Sequence, residues 1–404
     1  MYKIKIDKFR LDSGERYCIV TNKETGIPLY YPNLYLTTQF RNNGHALATI
    51  ESKAVNITIF YRFLEKNDID IETRILGGIF LSGGEIECMV SYLGAVSELR
   101  NSIINKGLGY VSKKTLRNRI NSILSYMTWL VDELLQYDSS RHKTSFSRMI
   151  KAIEVRRPRD HDNKNSEDNK NKTLKDDSVV TLMKLIDPQS PSNPFDPDVR
   201  NRNAIIIMIL TELGIRRGEL LNIKIEDINF QKKRICIRRR ADEISDPRLN
   251  QPLVKTLSRE LPLSEVLASR LMEYIIHDRK LYLKGKSEFL FITYKHGPYQ
   301  GKPLSISGYQ KIISKISISD RLLRGFSGHK LRHTWNYDFS RFMDSQNQSE
   351  RKQEVMREKL MGWKEGSGTA STYNRRFIEE QADEASIRYQ KKYSYKGKGS
   401  QNDE

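Results

Sequence analysis

The chain lacks the usual marks of an exported or membrane-bound protein. Its three cysteines, Cys18, Cys88 and Cys236, lie far apart in 404 residues. That spacing argues against a disulfide scaffold or a zinc ribbon and fits a reducing, cytoplasmic setting. No run of about 18 uncharged apolar residues is present, so no membrane span is expected. The opening MYKIKIDKFR alternates charge with apolar residues and has no apolar core of a secretory signal. There is no G-x-x-x-x-G-K-S/T phosphate loop and no repeat of fixed period. With 38% hydrophobic and 29% charged residues, the chain is neither collagen-like nor wholly disordered. Its length suggests two or three domains and is ample for a buried core.

What is abundant is positive charge. Lysine and arginine number 69 against 50 aspartates and glutamates, a formal net charge of +19. A compact chain carries self-repulsion at such a charge, and a polyanion relieves it. Nucleic acid is the first candidate, because neutralising phosphates and releasing counterions supplies most non-specific affinity. A soluble basic protein with no such partner is the alternative on charge alone.

The patterning predicts a β-rich N-terminal extension over residues 1–45. Tyr2, Ile4 and Ile6 alternate with Lys3, Lys5 and Asp7, and further short strands are predicted at Tyr17–Val20 and Leu29–Tyr31. A helical domain follows over 46–155. It holds a helix at Ser52–Leu64 capped by Thr49, a second at Glu85–Arg100, and a third opening at Ser112 with one apolar face through Leu116, Ile120, Ile123, Met127 and Leu130. The other face of this third helix carries Lys113, Lys114, Arg117 and Arg119, either a solvated surface or one that meets DNA. Residues 156–177 are almost devoid of apolar side chains and read as a flexible linker. A second domain spans 178–392, with helices at Val179–Ile186, Asn203–Leu213 and Leu220–Ile228 and a hairpin from Arg234 to Leu263. The tail 393–404 reads as disordered. The fold class is α+β, mainly helical with a small antiparallel sheet.

Three segments of the second domain could carry chemistry. In TELGIRRGEL, Arg216 follows a helix-breaking Gly214, and Glu219 lies three residues on; alone this would be an ordinary surface ion pair. In HKLRHTW, His329 shares a helix face with both Arg332 and His333. The two histidines could hold zinc, although the glutamate of H-E-x-x-H is missing. Alternatively His329 and Arg332 converge on a phosphate, one as a proton donor tuned near neutral pH and the other as a fixed fork. Finally LMGWKEGSGTASTYNRRF holds Trp363 and Tyr373 around a Gly/Ser/Thr loop. A lone tyrosine among 20 is by itself an ordinary core or rim residue.

In order, G-I-R-R-G-E-L, a strand pair, H-K-L-R-H-T-W, M-G-W and a tyrosine ten residues later resemble the tyrosine recombinase (phage integrase) family over residues 178–392. The likeness reaches more weakly into 46–152, as the family's helical core-binding domain. The resemblance implies a two-domain DNA clamp that cleaves and rejoins DNA through a 3′-phosphotyrosine intermediate, in integration, excision or transposition. It implies Arg216, His329 and Arg332 as catalytic residues and Tyr373 as nucleophile. Trp363 stands where most members have histidine and some have tryptophan, so packing or a single N–H donor is implied there, not a proton shuttle. Lys255, in V-K-T-L-S-R-E-L-P-L, best matches the family's hairpin lysine. The hairpin is longer than usual, and Lys232, Lys233 and Arg259 compete for the role.

The residue types suit the reaction. Cleavage by a protein nucleophile builds charge on the non-bridging oxygens, which two arginines and a histidine stabilise. Tyrosine, with a pKa of about 10, needs deprotonation or nearby cations. The 5′-hydroxyl leaves poorly, so an acid is needed, and a lysine can supply it. No metal or cofactor is expected, and the phosphotyrosine bond stores the energy for rejoining. The partners implied are double-stranded DNA, a homotetramer on two DNA sites with Phe377–Tyr389 as its exchange helix, and accessory proteins, with no membrane, at the bacterial nucleoid. A type IB topoisomerase, a non-catalytic DNA-binding regulator on the same fold and a metal-dependent nuclease are the alternatives.

Overall fold

A computed structural model describes residues 3–96, 109–135, 139–159, 173–366 and 381–390. The chain divides into two compact units, Met1–Asp162 and Asn163–Glu404. No helix among the described residues is long and apolar enough to cross a membrane.

The N-terminal unit opens with the hairpin β1 (Ile4–Arg10) and β2 (Arg16–Asn22), paired antiparallel from Ile4↔Asn22 to Arg10↔Arg16. Helices α1 (Tyr30–Leu36), α2 (Leu47–Lys66), α3 (Ile71–Leu76), α4 (Gly83–Gly94), α5 (Lys113–Leu134) and α6 (Ser139–Val155) follow. The hairpin is not set apart from the helices. Ile4, Tyr17, Cys18 and Val20 join Phe60, Phe63, Ile123 and Met127 in one buried cluster, so the inner face of the β1–β2 hairpin covers the helical core.

Several local expectations are corrected. Leu29–Tyr31 is not a strand; helix α1 begins at Tyr30, and Pro32 sits in its first turn, where a missing N–H costs nothing. Asn33 ties this helix to β2 through both the amide and the carbonyl of Val20. Helix α2 starts at Leu47 with no side-chain cap, so Thr49 lies inside the first turn. Helix α4 starts on a Ser82–Glu85 capping box and stops at Gly94; the rest of the Glu85–Arg100 helix, from 97, lies outside the described residues. Ser112 does cap α5, accepting from the Thr115 amide at 3.2 Å.

The C-terminal unit contains α7 (Asp176–Ile186), α8 (Pro197–Leu213), α9 (Arg217–Leu221), a three-stranded antiparallel sheet in the order β3 (Ile228–Asn229), β4 (Arg234–Ile237), β5 (Arg259–Pro262), then α10 (Glu265–Glu273), α11 (Ile306–Ser319), α12 (Gly328–Ser345) and α13 (Glu350–Met361). Helix α8 is buried nearly all round, with Ile205, Ile206, Ile207 and Ile209 wholly covered, which is why its sequence shows no polar face. The expected Leu220–Ile228 helix is broken at Asn222. The chain there is recruited to bridge Lys224 to Phe289, and a single 3-10 turn at Ile225–Asp227 leads into β3. The long hairpin between β4 and β5 is pinned from inside. Arg248 holds Asp246 at 2.7 Å and donates to the Leu221 and Leu304 carbonyls, and Arg240 holds Asp227 at 2.7 Å.

Candidate active site

The site is built around the left-handed turn that ends α8. Gly214 has φ +59°, and a Cβ there would lie 2.8 Å from the Trp335 ring. Only glycine tolerates both demands. Arg332 on α12 is wholly buried, and its Nη1 donates to the Gly214 carbonyl at 2.7 Å. The Trp335 indole N–H donates to the Glu212 carbonyl at 2.9 Å. Helix α12 is thus fastened to the turn carrying Arg216, and the two arginines come from segments tied to one glycine.

Arg216 stands at the head of α9 with its backbone N–H on the Glu219 carboxylate at 2.9 Å and a guanidinium nitrogen 3.7 Å from it. Its side chain is 28% exposed while that of Glu219 is 0%. The surface-pair reading therefore fails: Glu219 is a buried anchor. Burial alone would raise its carboxyl pKa, but the Arg259 charge outweighs that, aided by hydrogen bonds from Arg259, Thr256 and the Arg216 amide, and the pKa falls below the ordinary glutamate value.

Glu219 also fastens the hairpin. Thr256 Oγ1 donates to it at 2.6 Å and Arg259 Nη2 at 3.0 Å. Gly218 allows this approach, since a Cβ there would clash with the Leu253 carbonyl. Lys255, between buried Val254 and the tethered Thr256, is exposed to solvent. The competitors differ in placement: Lys233 is paired with Glu265 at the far end of the hairpin, Lys232 is exposed there, and Arg259 is buried under Glu219.

Trp363 is 7% exposed and packs with Met361 and Trp335. The Arg332 guanidinium lies over its ring, 5.4 Å from the centroid. The preceding Gly362 is left-handed at φ +65°, and a Cβ there would strike Arg259 Nη1 at 2.7 Å and the Leu257 carbonyl at 2.8 Å. His329 is exposed on the first turn of α12, its ring 4.6 Å from that of His333. Among the described residues no three of His, Cys, Asp and Glu gather into a metal-binding group. Tyr373 lies outside the described residues. Residues 381–390 form a fully exposed helix; the earlier part of the Phe377–Tyr389 helix is outside the description.

The structure thus brings Arg216, Lys255, Arg332 and Trp363 onto interlocking segments, with His329 one helical turn from Arg332. Sequence reasoning overlooked Trp335, whose role depends on a close approach to glycine, and Thr256, and read Arg259 only as a rival acid. In the N-terminal unit Lys113 and Lys114 are exposed on the first turn of α5 and Arg117 is half-buried. Arg119 leaves that face: it donates to the Leu93 and Ala95 carbonyls and holds α4 to α5.

Comparison with known proteins identifies the family. The model of the phage integrase family matches residues 172–380, just over half of the chain. Transposase A from transposon Tn554 of Staphylococcus aureus (strain Mu50) is 24% identical over 304 residues, covering 72% of this chain and 75% of that protein. Tyrosine recombinase XerS of Streptococcus gordonii is 23% identical over 260 residues, covering 62% of this chain and 66% of XerS. The crystal structure of the XerH site-specific recombinase bound to its difH substrate shares the fold, with a TM-score of 0.51 at 18% identity over 85% of this chain and 80% of that one. The chain belongs to the phage integrase family and is a tyrosine-type site-specific recombinase that cleaves and rejoins DNA.

Proposed function

We propose that Arg216, Lys255, His329, Arg332 and Trp363 form the catalytic centre and Tyr373 its nucleophile. The observation that carries this reading is the junction at Gly214 and Glu219, where hydrogen bonds within the protein lock together the segments bearing both arginines and the hairpin lysine. Electrostatic stabilisation is strongest when charges are fixed before the transition state forms.

In the forward step the Tyr373 phenol gives its proton to His329, and its oxygen attacks the scissile phosphorus. The bond from phosphorus to the 5′-oxygen breaks, and the Lys255 ammonium protonates the leaving oxygen. Arg216 and Arg332 take the charge that builds on the non-bridging oxygens. Arg332 is wholly buried, so covering side chains, Trp363 among them, must yield as DNA enters. Rejoining runs the same steps backwards: a 5′-hydroxyl loses its proton to Lys255 and displaces the tyrosine.

Double-stranded DNA is the partner, with Lys113, Lys114 and Arg117 of the N-terminal unit on the phosphate backbone. Two DNA sites held by a homotetramer, joined through the exposed helix at 381–390, complete the reaction, with accessory proteins setting its direction at the nucleoid. The test is to trap a covalent adduct on a nicked suicide substrate and map the modified residue. Tyr373→Phe should abolish the adduct and leave DNA binding near wild type. An undiminished adduct mapped to another tyrosine, Tyr337 or Tyr389, would remove Tyr373 from the role.

A further inference from the structure

Arg259 has no assigned role, yet it touches three of the four site segments. Its side chain is 6% exposed. Nη2 donates to Glu219 at 3.0 Å, Nη1 to Thr256 Oγ1 at 3.0 Å, and Nε to the Leu360 carbonyl at 2.6 Å. Leu360 lies two residues before Gly362, whose carbonyl in turn accepts from the Leu257 amide at 2.9 Å. The Arg216 turn, the Lys255 segment and the Trp363 turn therefore meet on one planar guanidinium. A planar fork with five donors can serve three acceptors in fixed directions; an ammonium cannot.

We propose that Arg259 is a positioning residue that places Lys255 for proton transfer to the leaving 5′-oxygen and makes the hairpin and the Trp363 turn move as one body. It acts through Thr256, the neighbour of Lys255, and through Glu219, and touches neither DNA nor the reacting atoms. The inference rests on the reading of Lys255 as the general acid. A misplacement of about 1 Å costs on the order of 100-fold in rate, so the clip need only hold the lysine to that tolerance to matter.

The experiment compares single-turnover cleavage of an ordinary 5′-oxygen substrate with that of a 5′-bridging phosphorothiolate, whose leaving group needs no proton. Arg259→Lys keeps the charge opposite Glu219 but loses the fork. It should slow the ordinary substrate on the order of 100-fold and the phosphorothiolate far less. In a Lys255→Ala background it should add no further slowing, because the group it places is gone. Equal slowing on both substrates, or full additivity with Lys255→Ala, would overturn the inference and leave Arg259 as a fold-holding residue. Thr256→Val, which removes one hydroxyl, carries the same two outcomes if Arg259→Lys fails to fold by thermal melting. Lys255→Ala alone separates the two levels. Rescue there but not in the clip variants overturns this inference only; no rescue there overturns the lysine assignment and this inference with it.

Discussion

Among the described residues the N-terminal unit buries one charged side chain, Arg16, whereas the C-terminal unit buries eleven, with Glu219, Asp246, Arg248, Arg259, Arg332 and Arg357 among them. Both units have large apolar cores. A buried ion pair is weak evidence for stability, since desolvation consumes much of the Coulomb gain. What the burial does provide is direction: each carboxylate or carbonyl that takes a guanidinium also fixes a turn. In the N-terminal unit hydrophobic area carries most of the packing, with polar ties such as those of Asn33 and Arg119 between elements. In the C-terminal unit fixed polar contacts specify the site, and the Arg357 guanidinium shows the cost, with burial drawing its pKa down to about 10.

The comparison breaks most sharply at Glu219 and Phe60, one buried residue from each unit. Glu219→Gln leaves Arg259 buried without its counter-charge and should cost about 3–5 kcal/mol. Phe60→Ala, at a wholly covered position in α2, should cost about 3–5 kcal/mol as well. Denaturant unfolding of the full chain measures both. Only Glu219→Gln should also lose cleavage rate at saturating DNA; a comparable rate loss in folded Phe60→Ala would erase the distinction between the units. Acid sharpens it. Because the folded Glu219 pKa is depressed, its contribution is fully present above about pH 4.3 and lost as pH falls through the lower folded value. The stability gap between wild type and Glu219→Gln should therefore shrink on acidification, while the gap for Phe60→Ala should not track that titration.

Next in size are the arginines. Arg216→Ala should lower single-turnover cleavage by about 10²–10³-fold, on ordinary and phosphorothiolate substrates alike, since its charge serves the phosphorane whatever the leaving group. Selective rescue by the phosphorothiolate would reassign Arg216 to the proton step.

Smaller again is the effect of Lys113→Ala with Lys114→Ala on DNA binding. If each meets one phosphate, the slope of log K against log salt should flatten by about 0.9 per lysine, with cleavage at saturating DNA unchanged. An unaltered slope would return this end of α5 to a solvated face.

The sequence was most legible where periodicity or motif order carries the information. The apolar stripe of α5 marked its buried face and Ser112 its cap, and the four motifs led to Arg216, His329, Arg332 and Trp363. It was least legible where contacts run between segments distant in the chain. Nothing local shows that Glu219 is buried 40 residues from Arg259, or that Gly214 is shaped by Trp335. The Leu29–Tyr31 run was too short to distinguish strand from helix, and the position of Pro32 was the overlooked clue.

The smallest predicted effect comes from the same chemistry placed at the surface of the other unit. Arg41 grips Glu15 through two guanidinium nitrogens, one at 2.7 Å, and lies over the Tyr17 ring. In bonding this matches the Arg259–Glu219 pair, and here too the Arg41 hydrogen bonds hold the carboxyl below its ordinary pKa. The difference is solvent: the two side chains are 36% and 30% exposed, against 6% and 0% for Arg259 and Glu219. Water and salt screen the first pair, and removing one partner leaves the other hydrated. Glu15→Gln should therefore cost about 1 kcal/mol or less, and part of that should disappear in 1 M salt, where the Debye length is about 3 Å. Glu219→Gln should keep its full cost at the same salt. Should Glu15→Gln cost as much as Glu219→Gln, with no salt dependence, burial would not be what separates the two units, and the bonding geometry of each arginine would have to carry the explanation instead.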